Sequence, residues 1–81
     1  MADKKKPTLD LHGCIKEEVF DLLDKFIMKH RHCDELCIIV GRGKGIVREQ
    51  AIKYLTGAHY PWKYERVRGL ENKGALIVDL S

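Results

Sequence analysis

Leu9-Asp10-Leu11-His12-Gly13 decides how the rest of the chain is read, because it joins an alternating strand pattern to an acid, an imidazole and a breaker. On a strand, Leu9 and Leu11 face one side and Asp10 and His12 the other, after which Gly13 turns the chain sharply. Two readings are open on these residues alone. Asp10 and His12 form an acid-base tip, or Asp10 caps a turn and His12 is an ordinary surface imidazole.

Working outward, Ile15, Val19, Leu22, Leu23, Phe26, Ile27 and His30 recur at helical spacing, which predicts an amphipathic helix from about Ile15 to Arg31 with this stripe inward. Glu17 and Glu18 suit its positive end and Lys29, His30 and Arg31 its negative end. Neither Cys14 nor Ile15 offers a good capping side chain. Leu36-Cys-Ile-Ile-Val40 is a continuous apolar run that stops at Gly41, the pattern of a central strand. Strand, long helix and strand make a βαβ unit with parallel strands, so the ends of both strands point the same way.

At the second of those ends stands Gly41-Arg42-Gly43-Lys44-Gly45, leading into Val47, Ala51, Tyr54 and Leu55 at helical spacing, with Gly57 as the expected stop. A glycine loop opening a helix exposes backbone N–H groups to an anion, and Arg42, Lys44 and Arg48 add charge for phosphate. The spacing matches neither the dinucleotide fingerprint nor the nucleotide-triphosphate loop. In open α/β sheets ligands collect beyond the carboxyl ends of parallel strands, so His12 and this loop are expected to share one cleft.

Tyr60, Trp62 and Tyr64 alternate among cations on a strand that Pro61 confines to an edge. They either stack on unpaired bases, with Lys63, Arg66 and Arg68 on phosphates, or close a small core. Leu70 to Gly74 reads as a connection, and Ala75-Leu-Ile-Val-Asp-Leu80 as a second buried strand. The sum is a single α/β domain, more closely an α+β two-layer fold, ordered β-α-β-α-β-β on a mixed four-stranded sheet. Residues 1–7, with Lys4 to Lys6, read as a flexible basic arm ahead of a domain over 8–81.

Composition narrows the function classes. The 81 residues carry 15 Lys and Arg against 12 Asp and Glu; acids gather between Glu17 and Asp24, whereas Arg42, Lys44, Arg48, Lys53, Lys63, Arg66, Arg68 and Lys73 leave the second half clearly basic, which suggests one positive face for a polyanion. No apolar run suits a membrane span or a secretory signal, so a cytoplasmic protein without membrane partners is expected. Cys14, Cys33 and Cys37 lack paired spacing and read as reduced thiols. His30 to Cys37 is discounted as a zinc site, since its candidate ligands fall on a helix end, a loop and a strand.

Leu9 to Gly13 resembles the Leu-Asp-Leu-His-Gly signature of the small MutS-related (Smr) domain family. Gly41 to Gly45 resembles that family's Gly-x-Gly-x-Gly motif, and Gly74 to Leu80 its closing strand. The resemblance implies a fold like the C-terminal domain of bacterial translation initiation factor three, with strand order one, two, four, three. It also implies nucleic-acid binding and, in many members, endonuclease activity on DNA or on messenger RNA at stalled ribosomes. By position, Asp10 and His12 fall on the first motif and Gly41, Gly43 and Gly45 on the second. Val40 stands where many members have histidine, and Asn72-Lys73-Gly74 replaces a glycine pair.

On RNA, His12 would take the proton of a ribose 2′-hydroxyl with Asp10 beside it, and no metal or other cofactor would be needed. On DNA, water must attack, usually with a divalent cation. His59 is the obvious second proton carrier. The alternative is a binding module that docks on nucleic acid or a ribosomal surface through the same cleft without chemistry.

Overall fold

The computed structural model describes residues 6–41, 43 and 45–80. The residues of the basic arm before Lys6, and the expected phosphate ligands Arg42 and Lys44, lie outside the described residues. In chain order the elements are β1 (Thr8–Asp10), α1 (Lys16–Lys29), β2 (Glu35–Ile39), α2 (Ile46–Gly57), β3 (Trp62–Val67) and β4 (Leu70–Asp79). They form the expected mixed sheet in the order β1-β2-β4-β3, with β1 parallel to β2 and the other pairs antiparallel.

Strand alternation divides the apolar residues between the two faces of the sheet. Leu36 and Ile38 of β2 and Leu76 and Val78 of β4 meet Val19, Leu23 and Ile27 of α1 and Ala51 and Leu55 of α2 in one core. The innermost positions of α1 are thus Val19, Leu23 and Ile27, while Leu22 and Phe26 pack half-buried at the margin. Ile15, expected inward, is exposed. Cys37, Ala75 and Ile77, on the alternate positions, form a smaller cluster with Ile39 on the other face. Trp62 and Tyr64 stand edge to face at 5.3 Å and pack with Tyr60 against the main core, so they close the core beneath the helices.

Details of several boundaries differ from the sequence reading; α1, expected from about Ile15 to Arg31, runs Lys16–Lys29. β1 ends at Asp10, although Leu11 still donates its N–H to the Ile39 carbonyl at 2.8 Å, so His12 stands just beyond the ladder. α2 does end at Gly57, as expected, but Gly57 is not the left-handed residue that turns the chain out of the helix. His59 adopts φ 63° and lets Tyr60 N–H reach back to the Leu55 carbonyl at 2.8 Å, the bond of a left-handed helix stop.

The largest difference is Leu70 to Gly74, which belongs to β4 and is not a connection. The turn lies earlier, at Arg68 (φ 53°) and Gly69 (φ 81°), a two-residue hairpin loop whose left-handed pair matches strand twist. The Asn and Gly that suggest a turn instead make a bulge, for the β3–β4 register shifts between Tyr64, opposite Leu76, and Glu65, opposite Asn72. Since Ala75 pairs with Ile39 at the end of β2, the hairpin runs on as a two-stranded arm past that end. No helix among the described residues is long and apolar enough to cross a membrane.

Candidate nucleic-acid interface

His12 is positioned by two backbone devices. Asp10 accepts the His12 backbone N–H on Oδ1 at 2.8 Å, closing an Asx turn. Leu11 accepts Cys14 N–H at 3.0 Å across a four-residue turn in which Gly13 takes φ 87°, the left-handed value that such a turn demands of its third residue. Asp10 thus contacts the backbone of His12, so the carboxylate fixes where the imidazole starts. The imidazole itself is exposed.

The ring lies against the glycine loop: its Cδ2 is 3.7 Å from where a Cβ on Gly41 would stand. Gly41 and Gly45 take φ of 78° and 84°, which a residue with a side chain adopts only with strain. Gly45 is also the residue from which α2 begins, its carbonyl accepting Glu49 N–H at 2.8 Å. Arg48 folds back over this point, with Nη2 2.9 Å from the position of a Gly45 Cβ. A guanidinium therefore lies beside the end of the loop.

The other end of the loop is anchored by the β4 bulge. The Gly74 carbonyl accepts N–H from both Val40 at 2.8 Å and Gly41 at 3.1 Å. Gly74 N–H in turn donates to Asn72 Oδ1 at 3.0 Å, and Asn72 Nδ2 donates to Glu65 Oε1 at 3.0 Å. The departure Asn72-Lys73-Gly74 thus serves as a brace for the loop that it adjoins only in space. Sequence reading missed it because Asn72 and Gly74 are turn formers in any local context.

Together these elements enclose a cleft of about 530 Å³ beyond the carboxyl ends of β1 and β2. His12, Gly41, Gly43 and Gly45 all line it, as the joint reading of the two motifs expects. Ile15, Lys16 and Glu17 from the start of α1, and Ile46 and Val47 from the start of α2, complete the wall and were not anticipated. They read as ordinary first-turn residues, and only the parallel arrangement of the two strands brings both helix starts to one place. Lys16 is the one cation among the cleft's described lining residues. Val40 also touches the cleft, but it belongs to the core.

The remaining candidates lie elsewhere. Lys63 and Arg66 line a second, smaller pocket with Lys6, Glu35 and Glu65, near Ile77 on the sheet face that the helices leave uncovered. Arg68 sits at the tip of the hairpin arm, where Arg66 Nη1 also donates to the Gly69 carbonyl at 3.1 Å. The described bases of the second half that were expected on nucleic acid are therefore spread over the end of the glycine loop, the arm and the helix-free face. His59 follows α2, whose 12 residues carry the chain about 18 Å from its start at the cleft. The His30 to Cys37 residues diverge: His30 packs its ring on Phe26 at 4.8 Å, while Cys37 is buried in β2. Burial, with the charge of Glu65, pushes the Cys37 thiol above its ordinary range, which favours the protonated thiol. Among the described residues no three His, Cys, Asp or Glu side chains are grouped to hold a metal ion.

Curated protein sequences give no match to this chain. The family model of the Smr domain matches residues 9–81, nearly the whole chain, and this span takes in both motifs, the cleft between them and the brace from β4. The chain belongs to the Smr domain family.

Proposed function

We propose that the chain binds nucleic acid in the His12 cleft and cleaves RNA there. The observation that carries this reading is the imidazole of His12 lying against Gly41 of a glycine loop. Membership of a family commonly engaged with nucleic acid supports the choice of ligand. Loop amides and the start of α2 receive a phosphate, with Arg48 beside them and Arg42 and Lys44 interleaved among the glycines. Lys16 adds a charge from the opposite wall. Arg66 and Arg68 on the arm, and Lys63 behind it, serve the flanking backbone.

In the chemical step neutral His12 takes the proton of a ribose 2′-hydroxyl, and the 2′-oxygen attacks the adjacent phosphorus. The bond to the 5′-oxygen breaks, that oxygen takes a proton from water, and a 2′,3′-cyclic phosphate remains. Loop amides and cations stabilise the charge that builds on the phosphoryl oxygens. Asp10 is a positioning residue, acting through the His12 backbone. No cofactor enters this route, whereas the same cleft acting on DNA requires water as nucleophile and, as the ordinary means of activating it, a divalent cation. Cytoplasmic RNA, including messages on ribosomes, is the substrate setting that fits.

One observation favours a second reading. Val40 occupies the core where many relatives place a histidine, which leaves His12 as the one imidazole among the cleft's described lining residues. A binding module without chemistry would retain the same anion site. Incubating the protein with end-labelled single-stranded RNA and with duplex DNA, each with and without chelator, separates the readings. RNA cut in chelator to a cyclic phosphate supports the proposal; cutting only with a divalent ion overturns the mechanism. Salt-sensitive binding with intact substrate identifies the module.

A further inference from the structure

Two isoleucines flank the mouth of the cleft, Ile15 immediately before α1 and Ile46 at the start of α2, and they are 60% and 51% exposed. Neither contributes to the core. Ile15 occupies the N-cap of α1, where Ser, Thr, Asp or Asn is preferred for its side-chain acceptor; Ile15 offers none, and the end is closed instead by Glu18, whose N–H donates to the Ile15 carbonyl at 3.0 Å and whose Oε1 accepts the Ile15 N–H at 3.4 Å. A helix start that carries an exposed isoleucine in place of an N-cap acceptor gives up stability, which is the usual mark of a residue kept for another purpose.

We infer that Ile15 and Ile46 form the two walls of a base subsite, which receives one unpaired nucleobase while the adjoining phosphate rests on the glycine loop. This rests on the cleft being the nucleic-acid site and names what that site recognises. The occupant must be apolar on its faces and joined to an anion, because apolar walls and an anion-receiving loop adjoin in one cleft. An unpaired nucleotide has that chemistry. A volume of about 530 Å³ suits a group of this size, and a base locked in a duplex stack cannot enter it. The subsite is tolerant of base identity, since flat faces are met by aliphatic side chains and every base has them.

The test uses the whole chain with Ile15→Ser, Ile46→Ser and the double variant. Binding is read by fluorescence anisotropy with a short labelled 2′-O-methyl RNA, which lacks the nucleophile and stays intact. The same sequence as a blunt duplex is the comparison. Wild type is expected to prefer the single strand by about tenfold. Each variant should weaken single-strand binding by about fivefold, from lost apolar contact, and leave duplex binding unchanged. Thermal denaturation guards against a folding defect, because Ile15→Ser supplies the missing N-cap acceptor and should raise the melting temperature. Folded variants that bind the single strand like wild type, or that weaken single strand and duplex equally, overturn the subsite alone. A wild-type chain that binds neither RNA at low salt overturns the binding reading and the subsite with it.

Discussion

Leu23 and Ile15 belong to one helix and its cap, yet they live under different rules. Leu23 has no exposed surface and points where its periodicity says it should, among Ile38, Leu76 and the other residues of the main core. Ile15 stands 60% exposed at a position that local stability would give to a small polar residue. The same contrast separates the helix-covered face of the sheet from the cleft at its carboxyl end. In the core, pattern, propensity and packing agree. In the cleft, left-handed glycines, a helix without a side-chain acceptor at its N-cap and exposed aliphatics depart from what folding alone would choose. Regions of that second kind are where function is sought, because selection must maintain them against stability.

The contrast breaks most decisively if chemistry can be removed without touching the fold. His12→Ala is expected to lower single-turnover RNA cleavage by about 10²- to 10⁴-fold at saturating protein, the usual cost of losing a general base. Its melting temperature should stay near wild type, since the imidazole is exposed and the turn is held by the backbone of residues 10–14. The converse substitution is Leu23→Ala in the core. It should destabilise the domain by about 2–5 kcal/mol in denaturant unfolding while leaving cleavage per folded molecule unchanged. If His12→Ala unfolds the protein, or Leu23→Ala abolishes cleavage by the folded fraction, the two regions are not separable.

What was legible in the sequence follows the same division. The βαβ unit and the meeting of His12 with the glycine loop could be read because periodicity and parallel strand direction determine them, whereas the strand order came from the family resemblance. The β3–β4 hairpin could not, since Asn72 and Gly74 carry turn chemistry that the structure uses for a bulge. Lys16, Glu17 and Ile46 escaped because nothing local distinguishes a first-turn residue facing solvent from one facing a cleft. The dispersal of Lys63 and Arg66 escaped for a different reason. Charge along a sequence does not say which side of a pleat, or which edge of a sheet, a cation will reach.

A third substitution probes the boundary between core and cleft. Asn72→Ala removes the acceptor for Gly74 N–H and the donor to Glu65, and should cost about 1–2 kcal/mol because a part-buried N–H is left unpaired. Since the Gly74 carbonyl holds Val40 and Gly41, cleavage should fall further than binding as the loop loses its fixed distance from His12. Equal losses in both would mean that the brace supports the fold alone.

The smallest effect is expected where α1 and α2 touch outside the lining of the cleft, at Tyr54. Its hydroxyl donates to Asp24 Oδ1 at 3.0 Å, and its ring meets Phe20 edge-on at 5.4 Å. Burial, then the hydrogen bond to Asp24 and the charge of that carboxylate, push the Tyr54 phenol up to about 12. A phenol whose folded value lies above its unfolded value of about 10 favours the folded state fully below pH 10. That contribution fades as pH rises from about 10 towards 12, because the unfolded chain releases the proton first. Tyr54→Phe should therefore cost about 0.5–1 kcal/mol at neutral pH, the net worth of one exposed hydrogen bond. It should also flatten the alkaline decline in melting temperature over that window, with cleavage and binding at neutral pH unaltered. A variant whose alkaline profile matches wild type would show that the Asp24–Tyr54 contact is not formed in solution. Altered cleavage would show instead that the packing of the helices sets the geometry of the cleft.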